Sequence, residues 1–469
     1  MSIHRRTLLT GAAALAGAGI ATPLVRRAIA ASPPDLMAEP TTAQLLPVPH
    51  PPTQVWAYGG RAPGPEIRLK AGERVQRRLV NKLPQPTAVH WHGIRIDNAM
   101  DGAAGLTQEP VGLSDTFLYD FVAPDPGTYW YHSHDRSWEQ NARGLHGPLI
   151  VEEDEPYAAD REIVMLLDDW YLTEDGQIDA ASFGALSDWS HGGRIGNTFT
   201  INGQQNPDIA VRAGERVRLR FINAANARIM GLALPDHAMT LIAVDGHAVA
   251  PRRVENDTLV LGPAQRADVV VDFTAEPGTQ AKLMTFAGYD EWLPAATFAY
   301  SGEKALPRRT GDIVALADTM PHDLKVEGAL PVELVMDGGA MGSMMSARLQ
   351  GRVRSFQELV SAKRVWAFNG SAGDMDEPLF RVERGRTVKL TMRNDSRWPH
   401  ATHVHGHHFK VLSRDGKSVA HSDWRDTVLN NAAETMEVVF DASNPGKWLL
   451  HCHMLEHQAG GMITWFEVT

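Results

Sequence analysis

One phrase occurs three times in this chain. It reads "EIRLKAGERVQRRLVNKL" at 66–83, "DIAVRAGERVRLRFINAA" at 208–225 and "LFRVERGRTVKLTMRNDS" at 379–396. In each copy apolar and polar residues alternate, break at a Gly-containing turn, resume, and end in a polar corner that contains Asn. Alternation with a period of two is the mark of a strand with one buried face. Copies spaced by roughly 140 and 170 residues imply a threefold repeat, each unit having the length and patterning of a Greek-key β-sandwich. The 41 Gly and 29 Pro suit many short strands and turns better than long helices. The predicted class is all-β, with three consecutive sandwiches at 36–156, 157–305 and 328–469. The stretch "SGEKALPRRTGDIVALADTMPHDLKVEGALP" reads as the linker into the third, 306–327.

The N-terminus, "MSIHRRTLLTGAAALAGAGIATPLVRRAIAAS", has a basic start, a weakly apolar run of small residues and an "AIA" site ending at Ala30. This is the pattern of a cleaved signal peptide, and Arg5-Arg6 before "TLL" points to the twin-arginine route and the periplasm. The alternative, an uncleaved membrane anchor, is disfavoured by the Gly and Ala content and by Arg26-Arg27. Residues 1–30 hold four Arg and no acid, so their removal takes the formal charge from -11 to -15. An acidic surface argues against nucleic acid as a partner and is compatible with neutral or cationic small substrates. No later segment has the length and apolarity of a membrane span.

Histidine is the unusual count. Of 20, twelve fall in four short stretches, and ten of these lead them: "HWHG" (His90, His92), "HSH" (His132, His134), "HATHVHGHHF" (His400, His403, His405) and "LLHCHMLEHQAGGM" (His451, His453, His457). The last also holds Cys452, the only cysteine, which excludes an internal disulfide. Residues i and i+2 of a strand share a face. His90/His92, His132/His134, His403/His405 and His451/His453 each therefore aim two imidazoles one way, while Cys452 faces the other. His400 has opposite parity to His403 and His405, and so shares its side with Cys452. Two groups result. One holds eight histidines; the other holds His400 and Cys452, with His457 and Met462 close by. The second is the His₂Cys ligand type of a blue-copper site with an axial Met, and eight imidazoles without carboxylates suit a cluster of copper ions. A single H-x-H is more often a surface or core pair, but four of them, one around the only Cys, point to metal. A structural zinc site needs only four ligands, and twelve donors are too many for one.

The four stretches resemble the four copper-binding motifs of the multicopper oxidases, the family of laccases, bilirubin oxidases and bacterial cuprous oxidases. The likeness includes Met462 five residues after His457 and extends over essentially all of the chain beyond the N-terminal segment. It implies three cupredoxin domains and four copper ions. By motif position it assigns a type 1 copper to His400, Cys452, His457 and Met462. It assigns a type 2 copper to His90 and His403, and a type 3 pair to His92, His132, His134, His405, His451 and His453. The resemblance implies that a donor gives electrons singly to the type 1 copper. The Cys452 segment would carry them to a trinuclear site between the first and third units, where O₂ is reduced to two waters. Asp101, in "NAMDGAAG", matches the acid beside that site and is expected to relay protons; its plainer role is a turn Asp before Gly. Gln458 stands where bacterial relatives often carry a second proton-relay acid, and Glu456 is expected to be structural. His4, His50, His146, His191, His237, His247, His322, His407, His408 and His421 receive no ligand role.

The donor is read from two further features. "VMDGGAMGSMMSARL" carries Met336, Met341, Met344 and Met345, a modest version of the Met-rich insertion of cuprous oxidases, or else an apolar loop packed on the third unit. Trp398, in "WPH", is similar to the bilirubin oxidases and is a candidate relay from an aromatic donor, or plain packing. The favoured expectation is a laccase-like oxidase of phenols, aromatic amines or related donors, with O₂ as acceptor. The alternatives are a cuprous oxidase in copper tolerance, a copper-free structural protein on the same fold, and a two-domain copper nitrite reductase. The filled ligand set counts against the structural protein; the eight histidines and three units count against the reductase.

Overall fold

Each copy of the repeated phrase turns a corner between two sheets. In the computed structural model, which describes residues 33–469 apart from 289, 290, 308, 310 and 322, the first arm Ile67–Lys70 runs parallel to His146–Glu152. The second arm, Arg74–Asn81, lies in the facing sheet, parallel to Asp35–Ala43 and antiparallel to Thr116–Val122. The other copies repeat this. Asp208–Val211 runs parallel to Glu291–Tyr300, and Glu215–Asn223 lies between Arg161–Trp170 and Arg266–Phe273. Arg381–Val382 runs parallel to Ile463–Val468, and Thr387–Asn394 lies between Leu330–Gly338 and Thr435–Asp441. The two arms of a copy never pair with each other, so the turn is a sheet-switching corner and not a hairpin. Gly72, Gly214 and Gly385 occupy that corner with φ of 81°, 85° and 83°, a left-handed conformation that glycine adopts without strain.

The Asn at the end of each phrase is equally regular. Asn81, Asn223 and Asn394 are all buried. Each side-chain oxygen accepts from the backbone N–H two residues on, in Leu83, Ala225 and Ser396. Each amide then donates twice to backbone carbonyls: Gln85 and Val111, Arg228 and Leu261, Trp398 and Asn431. A buried Asn satisfied in this way pins the chain where it leaves the strand.

The result is three consecutive cupredoxin-like Greek-key sandwiches. The first has two four-stranded sheets, the second sheets of six and five strands, and the third sheets of seven and five with a two-stranded ribbon. Separate apolar cores fill them: Leu79, Trp91 and Tyr131 in the first, Leu219, Phe221 and Phe298 in the second, Leu390, Trp448 and Phe466 in the third. Residues 301–329 carry no strand or helix among the described residues. The helices are short, and none among the described residues is long and apolar enough to cross a membrane. The signal-peptide reading of residues 1–30 lies outside the described residues, as do His4 and His322.

Three neighbouring strands of the first unit break the half-buried rule, His146–Glu152 among them, and two of these carry histidines of the four stretches. Val89–His92 and Gly127–Ser133 are buried on both faces. Val89, Trp91, Tyr129 and Tyr131 fill the core of their own sandwich. The alternate residues His90, His92, Trp130 and His132 are buried against the other units, which sets the place of the site.

Candidate metal centre

Strand register brings the histidines together in pairs. In the first unit His90 lies directly opposite His132. In the third, His403 of the strand His400–Val404 lies opposite His451 of Gly446–Cys452. His134, His405 and His453 follow just beyond the strand ends. The two halves then interdigitate. The His90 ring stacks on His405 with centroids 3.9 Å apart, and His92 stacks on His403 at 3.8 Å. Nε2 of His405 lies 3.0 Å from Nε2 of His451, which lies 3.4 Å from Nε2 of His134. Nε2 of His453 and His132 are 3.4 Å apart. All eight are buried.

The outer nitrogens explain which atoms point inward. Nδ1 of His90 donates to the Asp101 carbonyl (2.8 Å), Nδ1 of His132 to the Ser133 carbonyl (3.0 Å) and Nδ1 of His451 to the Cys452 carbonyl (3.0 Å). Nδ1 of His403 donates to the Asp426 carbonyl (2.9 Å), and Nδ1 of His405 to Asp101 Oδ2 (2.9 Å). Carbonyl and carboxylate oxygens only accept, so each of these rings carries its proton on Nδ1 and a lone pair on Nε2. His92 is reversed: its Nε2 meets Asp426 Oδ1 (3.1 Å) and Thr427 Oγ1 (3.2 Å). Nδ1 of His92 and Nε2 of His90 and His403 are buried with no hydrogen-bond partner among the described residues. Burial, and then the neighbouring imidazoles, hold His92, His132, His134, His405, His451 and His453 well below the ordinary histidine range. Lone pairs of neutral rings converging in a dry site suit a metal cluster, and three overlapping trios of these histidines have donor atoms within 4.8 Å of one another.

The second group lies on the other face of the same strands. Cys452 sits opposite Thr402, and His400, two residues earlier, shares that side. His457 comes in from the short helix Leu455–Ala459. Nδ1 of His400 and His457 are 3.0 Å apart, and Cys452 Sγ is 3.7 and 3.8 Å from them. Burial pushes the Cys452 thiol up to about 12, so a cation is what would hold it as thiolate. Burial likewise lowers His457 to about 4. Met462 is buried in the same cluster; its carbonyl accepts from Cys452 N–H (3.0 Å) and its N–H donates to the His457 carbonyl (2.9 Å). Trp366 packs on both imidazoles, at 4.3 Å from His457 and 5.1 Å from His400.

Asp101 is buried and grips one histidine from each half of the larger group, His405 through Oδ2 and His90 through its carbonyl. Sequence reasoning missed its counterpart. Asp426 meets His92 through Oδ1 and His403 through its carbonyl, and makes a two-pronged buried ion pair with Arg266 of the second unit, at 2.8 and 2.6 Å. Burial opposes its ionisation, but Arg266 and His92 hold Asp426 well below the usual carboxylate range. Arg266 also donates to the Thr128 carbonyl of the first unit (3.1 Å), so one side chain ties all three units. No local spacing marks the Asp426–Arg266 pair, whose members are 160 residues apart in sequence.

The other singled-out residues fall as follows. Glu456 is buried, accepts from Asn226 (2.8 Å) and is pushed up to about 7 by burial. Gln458 accepts from Ser137 of the first unit (2.9 Å). Trp398 is half-buried and donates to the Ala340 carbonyl (3.1 Å). The four methionines separate: Met336 is in the core of the third unit and Met344 in a small apolar cluster, while Met341 and Met345 are 74% and 77% exposed. His408 donates to the Gly93 carbonyl (2.7 Å), and His146 pairs with Asp168 (3.0 Å).

Three sequence profiles of the family described as multicopper oxidase match residues 40–156, 161–301 and 349–469. The chain is 32% identical over 443 residues to multicopper oxidase MmcO of Mycobacterium tuberculosis, over 87% of this chain and 82% of that one. It is 29% identical to a laccase of Neurospora crassa, over 86% of this chain and 72% of that one. Among solved structures, a multi-copper oxidase from Pseudomonas thermotolerans superposes with a TM-score of 0.80 at 31% identity, over 93% of this chain and 98% of the other.

Proposed function

The chain belongs to the multicopper oxidases, and from that premise we propose an oxidase that takes electrons singly from a phenolic or other small aromatic donor and delivers four to O₂, yielding two waters. The observation that carries this reading is the segment His451–Cys452–His453. Its cysteine belongs to one donor group and its flanking histidines to the other, so adjacent residues of one segment join the two groups.

In this proposal His400, Cys452, His457 and Met462 hold one copper, and His90 and His403 a second. His92, His132, His134, His405, His451 and His453 hold a pair, making four ions. Bound copper supplies the one-electron redox chemistry at both groups. The protein supplies the rest. Cys452 links the electron-accepting group to the oxygen-reducing one through the backbone it shares with His451 and His453. Asp101 and Asp426 fix the imidazoles from outside, which protects the orientation of the inward nitrogens. Asp101, whose Oδ1 is 3.4 Å from His90 Nδ1, is the carboxyl placed to hold a proton beside the site, since Gln458 cannot ionise. Burial of every donor excludes bulk water. The Arg5-Arg6 motif and the stretch ending at Ala30 support export by the twin-arginine route to the periplasm.

A cuprous oxidase is the second reading. It is favoured by the exposed thioethers of Met341 and Met345, soft donors that suit Cu(I), beside the segment that covers His457. The copper-loaded protein is expected to be intensely blue with four coppers per chain, and Cys452→Ser to bleach it while copper remains at the eight histidines. A colourless wild type without copper by elemental analysis refutes the whole reading. Initial rates with a phenol and with Cu(I) separate the donors. Cu(I) oxidation that dominates and collapses in the double variant Met341→Ser, Met345→Ser refutes the aromatic one.

A further inference from the structure

The outer nitrogen of His457 is capped. Its Nε2 donates to the backbone carbonyl of His191, 2.6 Å away, in a segment of the second unit that follows the short helix Leu186–Ser190. That cap is fastened from the third unit. Ala340 N–H donates to the Ser190 carbonyl (2.6 Å), and the Ala340 carbonyl accepts from Trp398 Nε1 (3.1 Å). A donor approaching from this side therefore meets His191 before the His457 ring.

The His191 side chain is exposed and its tautomer is fixed. Nδ1 lies 2.9 Å from the Ser187 carbonyl and 2.9 Å from Ser190 Oγ. The Ser190 hydroxyl donates to the Leu186 carbonyl (2.7 Å), so towards His191 it accepts, as the Ser187 carbonyl must. Both contacts require the ring proton on Nδ1. Nε2 then carries a lone pair and has no partner among the described residues. Trp398 holds the ring edge to face, with centroids 5.2 Å apart at 64°.

We infer that His191 docks phenolic donors and takes their proton, a role that rests on the aromatic-donor reading above. The phenol O–H donates to Nε2 of His191. The O–H bond breaks, its proton forms the N–H bond of a His191 imidazolium, and one electron leaves through the His191 carbonyl and its hydrogen bond to His457. The neutral phenoxyl radical departs, and the imidazolium returns its proton to solvent. Each phenol supplies one electron and one proton, so four phenols match the four electrons that one O₂ consumes. A single residue thus receives the proton on its side chain and passes the electron through its backbone.

His191→Gln tests this in the copper-loaded enzyme, because it keeps the peptide carbonyl and removes the base. Positioned general bases contribute roughly 10²–10⁴-fold. The ratio of kcat/KM for a phenol to that for ferrocyanide, a one-electron donor that brings no proton, is expected to fall by roughly 10²-fold or more. The blue absorption reports that the Cys452 group is intact. A copper-independent readout is the binding of 4-nitrophenol, a phenol that resists oxidation and whose absorbance reports proton loss; it is expected to weaken in His191→Gln and in His191→Ala. An unchanged ratio with normal phenol turnover in the wild type overturns the proposal alone. A loss shared equally by both donors overturns it too, since that marks a distorted cap. A wild type inert towards phenols and active only on Cu(I) overturns the aromatic-donor reading and this role with it.

Discussion

Asp426→Asn separates the two donor groups. The Asp426 carboxylate accepts from Thr427 Oγ1 (2.7 Å) and faces His92 Nε2 (3.1 Å), and it pairs with Arg266 at 2.8 and 2.6 Å. Neither partner of the ion pair reaches solvent. Asparagine keeps the shape and one acceptor but removes the charge, leaving Arg266 as an uncompensated buried cation. Breaking a buried pair in this way costs about 3–5 kcal/mol. Unfolding entropy of about 2.1 cal/mol/K per residue, over roughly 440 residues, gives about 0.9 kcal/mol/K, so Tm is expected to fall by about 3–6 °C. The lower end is favoured because Asp245 Oδ1, 3.6 Å from Arg266 Nη1, remains as a partial partner. His92 also loses the carboxylate that orients it, while His403 keeps the main-chain carbonyl of residue 426, and an outer partner of a metal ligand is worth about 10–100-fold in affinity. That loss is expected at the eight-histidine group only, because the Cys452 group lies on the opposite face. Chelator titration with elemental analysis reads the cluster, blue absorption reads Cys452, and calorimetry reads stability. Blue absorption lost in step with the remaining copper refutes the two-faced arrangement. Wild-type copper retention with an unchanged Tm refutes the role given to Asp426.

Two further outcomes follow from the surroundings of the site. Burial, and then the charge of Asp426, raise buried Asp245 to about 6 against the pull of Arg266. The folded protein then holds that proton more tightly than the unfolded chain, so this group lowers stability as pH rises from about 4 to about 6, with no further change above. Asp245→Asn is expected to gain Tm relative to wild type across that window; a difference independent of pH contradicts the assignment. Asn394→Ala leaves the N–H of Ser396 without its acceptor, at about 1–3 kcal/mol where burial is complete, and takes one of two donors from the carbonyls of Trp398 and Asn431, which keep Ser396 Oγ and the Glu434 N–H. A lower midpoint in urea and a shifted blue band, with copper kept at the eight histidines, are expected because the released loop leads into His400.

Much of the site was legible because its rules are local. Strand alternation needs only neighbouring residues, and it assigns His451 and Cys452 to opposite faces as the register does. The threefold phrase likewise gave the number of sandwiches and their equivalent Gly and Asn corners. What stayed hidden depends on pairing between distant residues. A Gly turn looks the same in a hairpin and in a corner between sheets; only the partners of Arg74–Asn81 decide. Asp426 and Arg266 sit in ordinary strand text 160 residues apart. His191 was set aside because its backbone, which carries no sequence signal, makes the decisive contact. Met336 was grouped with Met341 by proximity, although one is the inward end of a strand and the other an exposed turn.

The bridge made by Arg266 has a consequence for the order in which the protein can be completed. During synthesis the first unit emerges with four of the eight histidines, and Arg266 follows with no acid of the third unit to meet it. Only when residues 400–453 have left the ribosome can the remaining histidines close over the first four and Asp426 neutralise Arg266. An ion captured earlier finds half a site with an unbalanced cation beside it. Assembly of the full cluster is thereby deferred until the third unit is made, and a protein truncated anywhere before His453 is barred from holding it.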